Sequence, residues 1–186
     1  RGWVWLAHGK NNSILEANMT EEEERRYLGE VVTTIRERTG RQPKGWLGPA
    51  LTETFHTPHL LAELGLTYLL DWCNDDQPYP LQVRTGRMIS VPYSIELNDI
   101  PAFLGKGLSA EQFGQMIVDA FDQLYAEGAE SGRVLCVALH PFLINQPFRH
   151  KYLARALEHV VRHDRVWLTT SDEIADWYFA NYYDQA

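Results

Sequence analysis

Four apolar runs in this chain each stop on a polar or turn-forming group. Gly2-Trp3-Val4-Trp5-Leu6-Ala7 runs into His8, Gly45-Trp46-Leu47 into Gly48-Pro49, Thr67-Tyr68-Leu69-Leu70 into Asp71, and Val134 to Leu139 into His140. Short apolar runs without alternation predict strands buried on both faces, as in a parallel sheet. In an α/β barrel the C-terminal strand ends converge on one mouth, and catalytic groups sit there. Two histidines and an aspartate at three such ends therefore predict a single site, and an enzyme.

Helical signals alternate with the runs. Thr20 and Glu23 make a capping-box pattern, Tyr27, Leu28, Val31, Val32 and Ile35 an inner stripe, and Gly40 a stop. The acids Glu21 to Glu24 read as a solvated helix start. A second helix is predicted with Thr57 as cap and Gly65 as stop, a third from Ser109 and Gln112 to Gly128, a fourth over residues 148–163, and a last one capped by Ser171. Residues 81–84 and 88–91 flank Thr85-Gly86-Arg87 as a β-hairpin, an excursion suited to walling the mouth. A short strand is expected over residues 165–169. The alternation predicts one α/β barrel domain spanning residues 1–186.

The chain opens at Arg1 directly on a buried-strand pattern. Residues 2–7 are expected to pair with Gly45–Leu47 on one side and with an earlier strand, absent from this sequence, on the other. An exposed edge of this kind predicts a covering N-terminal piece, a homo-oligomer, or a marginal fold prone to aggregation.

The 17 basic against 25 acidic residues give a net charge of −8. An acidic chain with no basic stripe argues against nucleic acid or an anionic membrane as partner. No segment reaches the roughly 18 apolar residues of a membrane span. Cys73 and Cys136 lie far apart in no metal-type spacing, which suits a reducing, cytoplasmic setting.

Among the residues that can carry chemistry, His140 precedes Pro141, which halts the strand and leaves the imidazole at the rim for proton transfer. Asp71 can orient a neighbour or stay charged to hold a histidine protonated. His8, followed by Gly9 and by Asn12 four residues on, can either bind a divalent metal or merely hydrogen-bond a loop. Trp46 and Trp72 adjoin strand ends and can line a substrate pocket. Asp75 is a candidate substrate contact or plain turn chemistry, and Arg149 a planar fork for an anionic or urea-like group. His56, His59, His150, His159 and His163 lie away from strand ends and read as outer-ring or surface residues.

At these residues the chain resembles the polysaccharide deacetylase superfamily. His8-Gly9-Lys10-Asn11-Asn12 looks like its second motif, Gly45 to Pro49 its third, Asp71 to Tyr79 its fourth and Leu139-His140-Pro141 its fifth. The Asn-Asp-Asp-Gln-Pro-Tyr loop, Val91-Pro92-Tyr93 with Glu96-Leu97-Asn98-Asp99, and Gln146-Pro147-Phe148-Arg149 are similar to the cofactor-independent allantoinase branch and its deacetylase-like relatives. The resemblance implies a distorted (β/α) TIM-like barrel, here lacking its first strand and helix. It also implies hydrolysis of a carbon–nitrogen bond in a small amide or ureide, by water activated by an Asp upstream of this sequence. His140 is then the general acid, and His8 binds metal or the oxyanion. Asn12 stands where most metal-dependent members carry histidine, and an amide oxygen is a poorer zinc ligand than imidazole. Weak zinc binding or none is therefore expected. A non-catalytic barrel fragment that keeps a binding pocket is the competing expectation.

Overall fold

The computed structural model describes residues 2–185. The elements run α1 (Glu21–Thr39), β1 (Gly45–Trp46), α2 (Thr57–Glu63), β2 (Tyr68–Leu69), β3 (Tyr79–Leu81), β4 (Met88–Ser90), α3 (Ala110–Glu127), α4 (Pro141–Ile144), α5 (Pro147–Val161) and α6 (Ser171–Asn181). They divide into two compact units. One holds the residues through Val91 and those from Thr169 onward; the other is Pro92–Leu168.

In the first unit, α1 starts as the sequence predicts. The Thr20 hydroxyl accepts the Glu23 N–H, and the Glu23 carboxylate accepts the Thr20 N–H at 2.9 Å. Gly40 ends the helix at φ 70°, a left-handed turn that glycine makes without strain. Tyr27, Leu28, Val31 and Val32 bury one face against Leu60 and Leu61 of α2 and against Trp46 and Met88. The acidic helix start is not uniformly solvated, which corrects the expectation. Glu24 is fully buried and accepts hydrogen bonds from the hydroxyls of Thr54 (2.5 Å) and Thr57. Thr57 is correspondingly the first residue of α2 rather than its cap, because its hydroxyl is committed to Glu24 and to the Thr54 N–H.

The sheet of this unit has the order β1-β2-β4-β3. β1, β2 and β4 are parallel, with Tyr68 opposite both Gly45 and Ile89, and β3 joins antiparallel to β4. The predicted hairpin is real but shifted. Its first strand is Tyr79–Leu81, its loop covers residues 82–87 with Gly86 at φ 75°, and β4 is an integral sheet strand rather than an excursion. Ile89 donates its N–H to Thr67 at 3.0 Å, toward β2, so Met88 and Ser90 turn their backbone groups toward β3. Pro80, opposite Ile89, therefore faces the outer edge, where it brings no N–H.

The opening run departs from its expected burial. Ala7 bridges Trp46 in parallel, as anticipated, with its N–H on the Gly45 carbonyl and its own carbonyl accepting from Leu47. Residues 2–6 form no ladder, and Trp3 and Trp5 are 76% and 58% exposed. Among the described residues the run is held to the sheet at Ala7, which leaves the Trp3 and Trp5 rings uncovered. At the other end of the unit, Thr170 rather than Ser171 caps α6. The Ser171 hydroxyl is paired with the Tyr68 hydroxyl at 2.7 Å instead.

In the second unit the capping box of Ser109 and Gln112 starts α3. Phe113 and Ile117 of α3 pack with Leu153 and Ala156 of α5, Leu143 and Ile144 of α4, and Phe103 in a π-helical turn, Pro101–Gly105. The run from Val134 to Leu139 is half-buried and enters a ladder only at Ala138, which bridges Asn98 in parallel. Residues 165–169 form no strand among the described residues, and Trp167 and Leu168 are exposed. Apolar composition was the signal for both runs. Burial needs a partner on each face, and within this unit the first run has one neighbouring segment.

Candidate functional site

Two polar clusters emerge, one in each unit. In the first, His8 and Asp71 are both tied to the end of β1. His8 donates its Nδ1–H to the Leu47 carbonyl at 2.5 Å, and Asp71 accepts the Gly48 N–H at 2.6 Å. The His8 bond fixes the tautomer and leaves the Nε2 lone pair available as a ligand or acceptor. Gly48 is required here, since a Cβ would meet the Thr52 carbonyl at 2.5 Å and Asp71 Oδ2 at 3.2 Å. Just beyond it, Ala50 and Leu51 hold φ of 55° and 56°. Non-glycine residues in this region cost about 1–3 kcal/mol each and cluster at functional sites.

Beneath this loop lie carboxyls that the sequence reading did not single out. Glu53 accepts the Trp72 indole N–H at 3.0 Å, and Glu16, fully buried, accepts the Thr52 hydroxyl at 2.9 Å. Burial pushes Glu16 and Glu53 above the ordinary carboxylate range. Asp71 is pushed up to about 9, first by burial and then by the hydrogen bond and charge of Glu53. Asp71 therefore does not stay charged near neutrality, and its partner is a carboxylate rather than a histidine.

The second cluster is built by backbone. The Ala138 N–H bonds the Leu97 carbonyl at 2.9 Å and the Asp99 N–H bonds the Ala138 carbonyl at 3.2 Å, which sets Asp99 beside His140. Asp99 is wholly buried; its Oδ1 accepts His140 Nδ1–H at 2.6 Å and its Oδ2 accepts the His140 backbone N–H at 2.9 Å. The His140 side chain is 27% exposed, with Phe142 edge-on at 5.9 Å. A carboxylate that fixes Nδ1–H and leaves Nε2 to exchange protons is the arrangement of a general acid–base histidine.

No family model matches the chain. It is 32% identical over 123 residues to a Schizosaccharomyces pombe protein carrying a polysaccharide deacetylase name, covering 60% of this chain and 38% of that one. The crystal structure of a probable polysaccharide deacetylase from Pseudomonas aeruginosa PAO1 superposes with a TM-score of 0.89 at 32% identity, covering 97% of this chain and 61% of that one. The crystal structure of Puue allantoinase gives 0.86 at 33% identity, covering 94% and 58%. The chain belongs to the polysaccharide deacetylase superfamily. Its fold class is the α/β, partial TIM-like barrel of these neighbours, and it spans 38–61% of the length of these three relatives.

Within that superfamily frame, the predicted site residues are divided between the two units. His8 and Asp71 are each anchored to backbone at the end of β1, and His140 has Asp99. Trp72 is 39% exposed beside Glu53. Trp46 is fully buried in the first unit's core, so it packs there instead of lining an open pocket, because its strand is covered by α1 and α2. Asp75 is exposed and accepts the Gln77 N–H at 2.9 Å, the turn chemistry its sequence context also allowed. Arg149 is half-buried, with its guanidinium over Phe103 at 4.4 Å and an N–H on the Leu143 carbonyl at 3.1 Å. Asn12 is exposed on the turn after His8.

The superfamily implies a divalent metal. At His8 one imidazole nitrogen, Nε2, is available as a ligand, and Asn12 is exposed on the turn that follows. Among the described residues, one group of three His and Asp side chains has metal-ligand spacing: Asp122, His159 and His163. It lies on the α3 and α5 side of the second unit, and the sequence reading treated its histidines as outer-ring residues. Asp99 and Glu53 were also missed as partners. Asp99 carried a signal, since it closes the Glu96-Leu97-Asn98-Asp99 segment that contributed to the resemblance.

Proposed function

We propose that the protein hydrolyses a carbon–nitrogen bond other than a peptide bond, in an N-acetylated amino sugar or a small ureide. The observation that carries this reading is the His140–Asp99 pair, a half-exposed imidazole whose Nδ1–H is held by a fully buried carboxylate. His140 Nε2 takes a proton from the water as it adds to the carbonyl carbon and returns it to the leaving nitrogen as the C–N bond breaks, while Asp99 holds the imidazolium formed between the two steps in the correct orientation. His8, with Nδ1–H fixed on Leu47, presents Nε2 as a metal ligand or oxyanion partner. Bound there, a divalent ion would supply Lewis-acid polarisation. Asp71 acts by position: its oxygens are committed to Gly48 and Glu53, holding the loop that follows His8's anchor. Within the first unit, the open face of Trp72 serves a sugar or ureide ring.

The names of the relatives, polysaccharide deacetylase and allantoinase, support both substrate classes. A cytoplasmic setting and a homo-oligomer belong to the same proposal. The wide separation of the two cysteines supports the first, and the exposed Trp3 and Trp5 the second. No helix is long and apolar enough to cross a membrane. The test is turnover of N-acetylglucosamine oligomers and of allantoin by the full-length protein, followed by acetate release and ring opening, with and without chelator. Turnover of one class that His140→Ala abolishes is the expected result. Turnover of neither, or an undiminished rate in the variant, overturns the reading.

A further inference from the structure

We propose that Asp122, His159 and His163 form a second metal site, for a zinc-like divalent ion, that clamps α3 to α5. The site is separate from His8, and it stands whether or not the hydrolase reading holds. One ligand atom from each residue lies within 4.8 Å of the other two. Ligands around tetrahedral zinc sit about 2.0–2.2 Å from the ion, hence roughly 3.3–3.6 Å apart, so small side-chain rotations close the set. Two imidazole nitrogens and one carboxylate oxygen suit zinc and its transition-metal neighbours and disfavour magnesium and calcium.

Three observations argue that the histidines are prepared as ligands. His163 Nδ1–H is donated to the His159 carbonyl at 2.8 Å, which leaves Nε2 unprotonated in the neutral ring. Metal-ligating histidines usually make this kind of bond with their other nitrogen. His159 Nε2–H donates to Asp122 Oδ1 at 2.6 Å, so an ion that replaces this proton finds a nitrogen and an oxygen ligand already side by side. The rings are held by aromatic neighbours: Phe121 lies edge-on to His163 at 4.9 Å and to His159 at 5.7 Å, and Tyr125 lies 5.0 Å from His163. Packing of this kind removes rotamers that binding would otherwise have to freeze.

The spacing follows from the helices. His159 and His163 are four residues apart, which places them on one face across the end of α5, and Asp122 comes from the neighbouring helix. Asp122 is exposed and both histidines are half-buried, so an ion can enter from solvent and keep a water as fourth ligand.

The experiment is zinc titration of chelator-stripped full-length protein, by calorimetry and by competition with a chromogenic chelator. It compares the wild type with Asp122→Asn, His163→Phe and His8→Ala. His163→Phe keeps a ring against Phe121 and Tyr125 while removing the ligand, so it separates coordination from packing. The expected result is one zinc equivalent that survives His8→Ala and is weakened about 10-fold or more by either second-unit variant. Zinc should also raise the thermal midpoint of the wild type and not that of His163→Phe. Loss of this equivalent in His8→Ala alone, unchanged affinity in both second-unit variants, or no zinc bound by the wild type at 100-fold molar excess overturns the proposal.

Discussion

Asp71 and Glu53 form a buried carboxyl pair at the loop that joins β1 to α2, and burial, with the hydrogen bond and charge of Glu53, pushes Asp71 up to about 9. Asp71 Oδ2 and Glu53 Oε1 are buried and reached by no other donor among the described residues. Two ionised carboxylates in this position would leave both oxygens unsatisfied, so one proton has to stay.

Stability is therefore expected to fall with rising pH. The folded-state pKa of Asp71 lies at about 9, above its ordinary 3.8, so between those values the unfolded chain has lost a proton that the folded chain keeps. The contribution of the protonated pair is fully present below about pH 4 and is lost progressively up to about pH 9. Asp71→Asn, which keeps a donor for Glu53 but cannot ionise, should flatten this slope. Urea midpoints measured at four or five pH values between 4 and 9 decide it; identical slopes would refute the shared proton.

His140→Ala is expected to leave the fold intact and to reduce turnover of the full-length protein by about 10²–10⁴, the range for a lost general acid. Asp99→Asn should cost less, because the isosteric amide still accepts one hydrogen bond but no longer favours the imidazolium. Steady-state kinetics of both variants, with circular dichroism as the folding control, check the order.

Gly45→Ala is expected to destabilise the first unit by about 1–3 kcal/mol, the usual cost of overpacking a core. The new Cβ would lie 2.0 Å from the Tyr68 ring. That ring cannot swing aside freely, because its hydroxyl pairs with Ser171 at 2.7 Å and donates to Asp172 at 2.8 Å. A chemical denaturation midpoint within error of wild type would contradict this.

Phe113→Ala should cost about 3–5 kcal/mol by emptying the centre of the second unit's core. If the two units unfold separately, calorimetry will show the Phe113 variant lowering one transition and Gly45→Ala the other.

Local chemistry was the most legible part of the sequence. The boxes at Thr20 and Glu23 and at Ser109 and Gln112 need only four consecutive residues, and both formed as read. The stripe of Tyr27, Leu28, Val31 and Val32 follows from helical period alone. Long-range choices were less legible. Glu24 looks like any acidic residue of a first helical turn until Thr54 and Thr57, some 30 residues on, turn their hydroxyls toward it. His140 could be singled out by its strand-end position, but Asp99 is brought to it across 41 residues by a bridge of one residue pair. The runs around Trp3, Trp5, Trp167 and Leu168 carried strong apolar signals, and their exposure follows from which segments lie alongside them.

The outward-facing Pro80 makes the sheet directional. β3 is three residues long, and the position that faces away from the sheet has no N–H to offer. A strand from another molecule arriving on that flank finds no donor to lock its register, so intermolecular zippering is blocked there. Under destabilising conditions a Pro80→Val substitution should open that flank to templated growth into filaments.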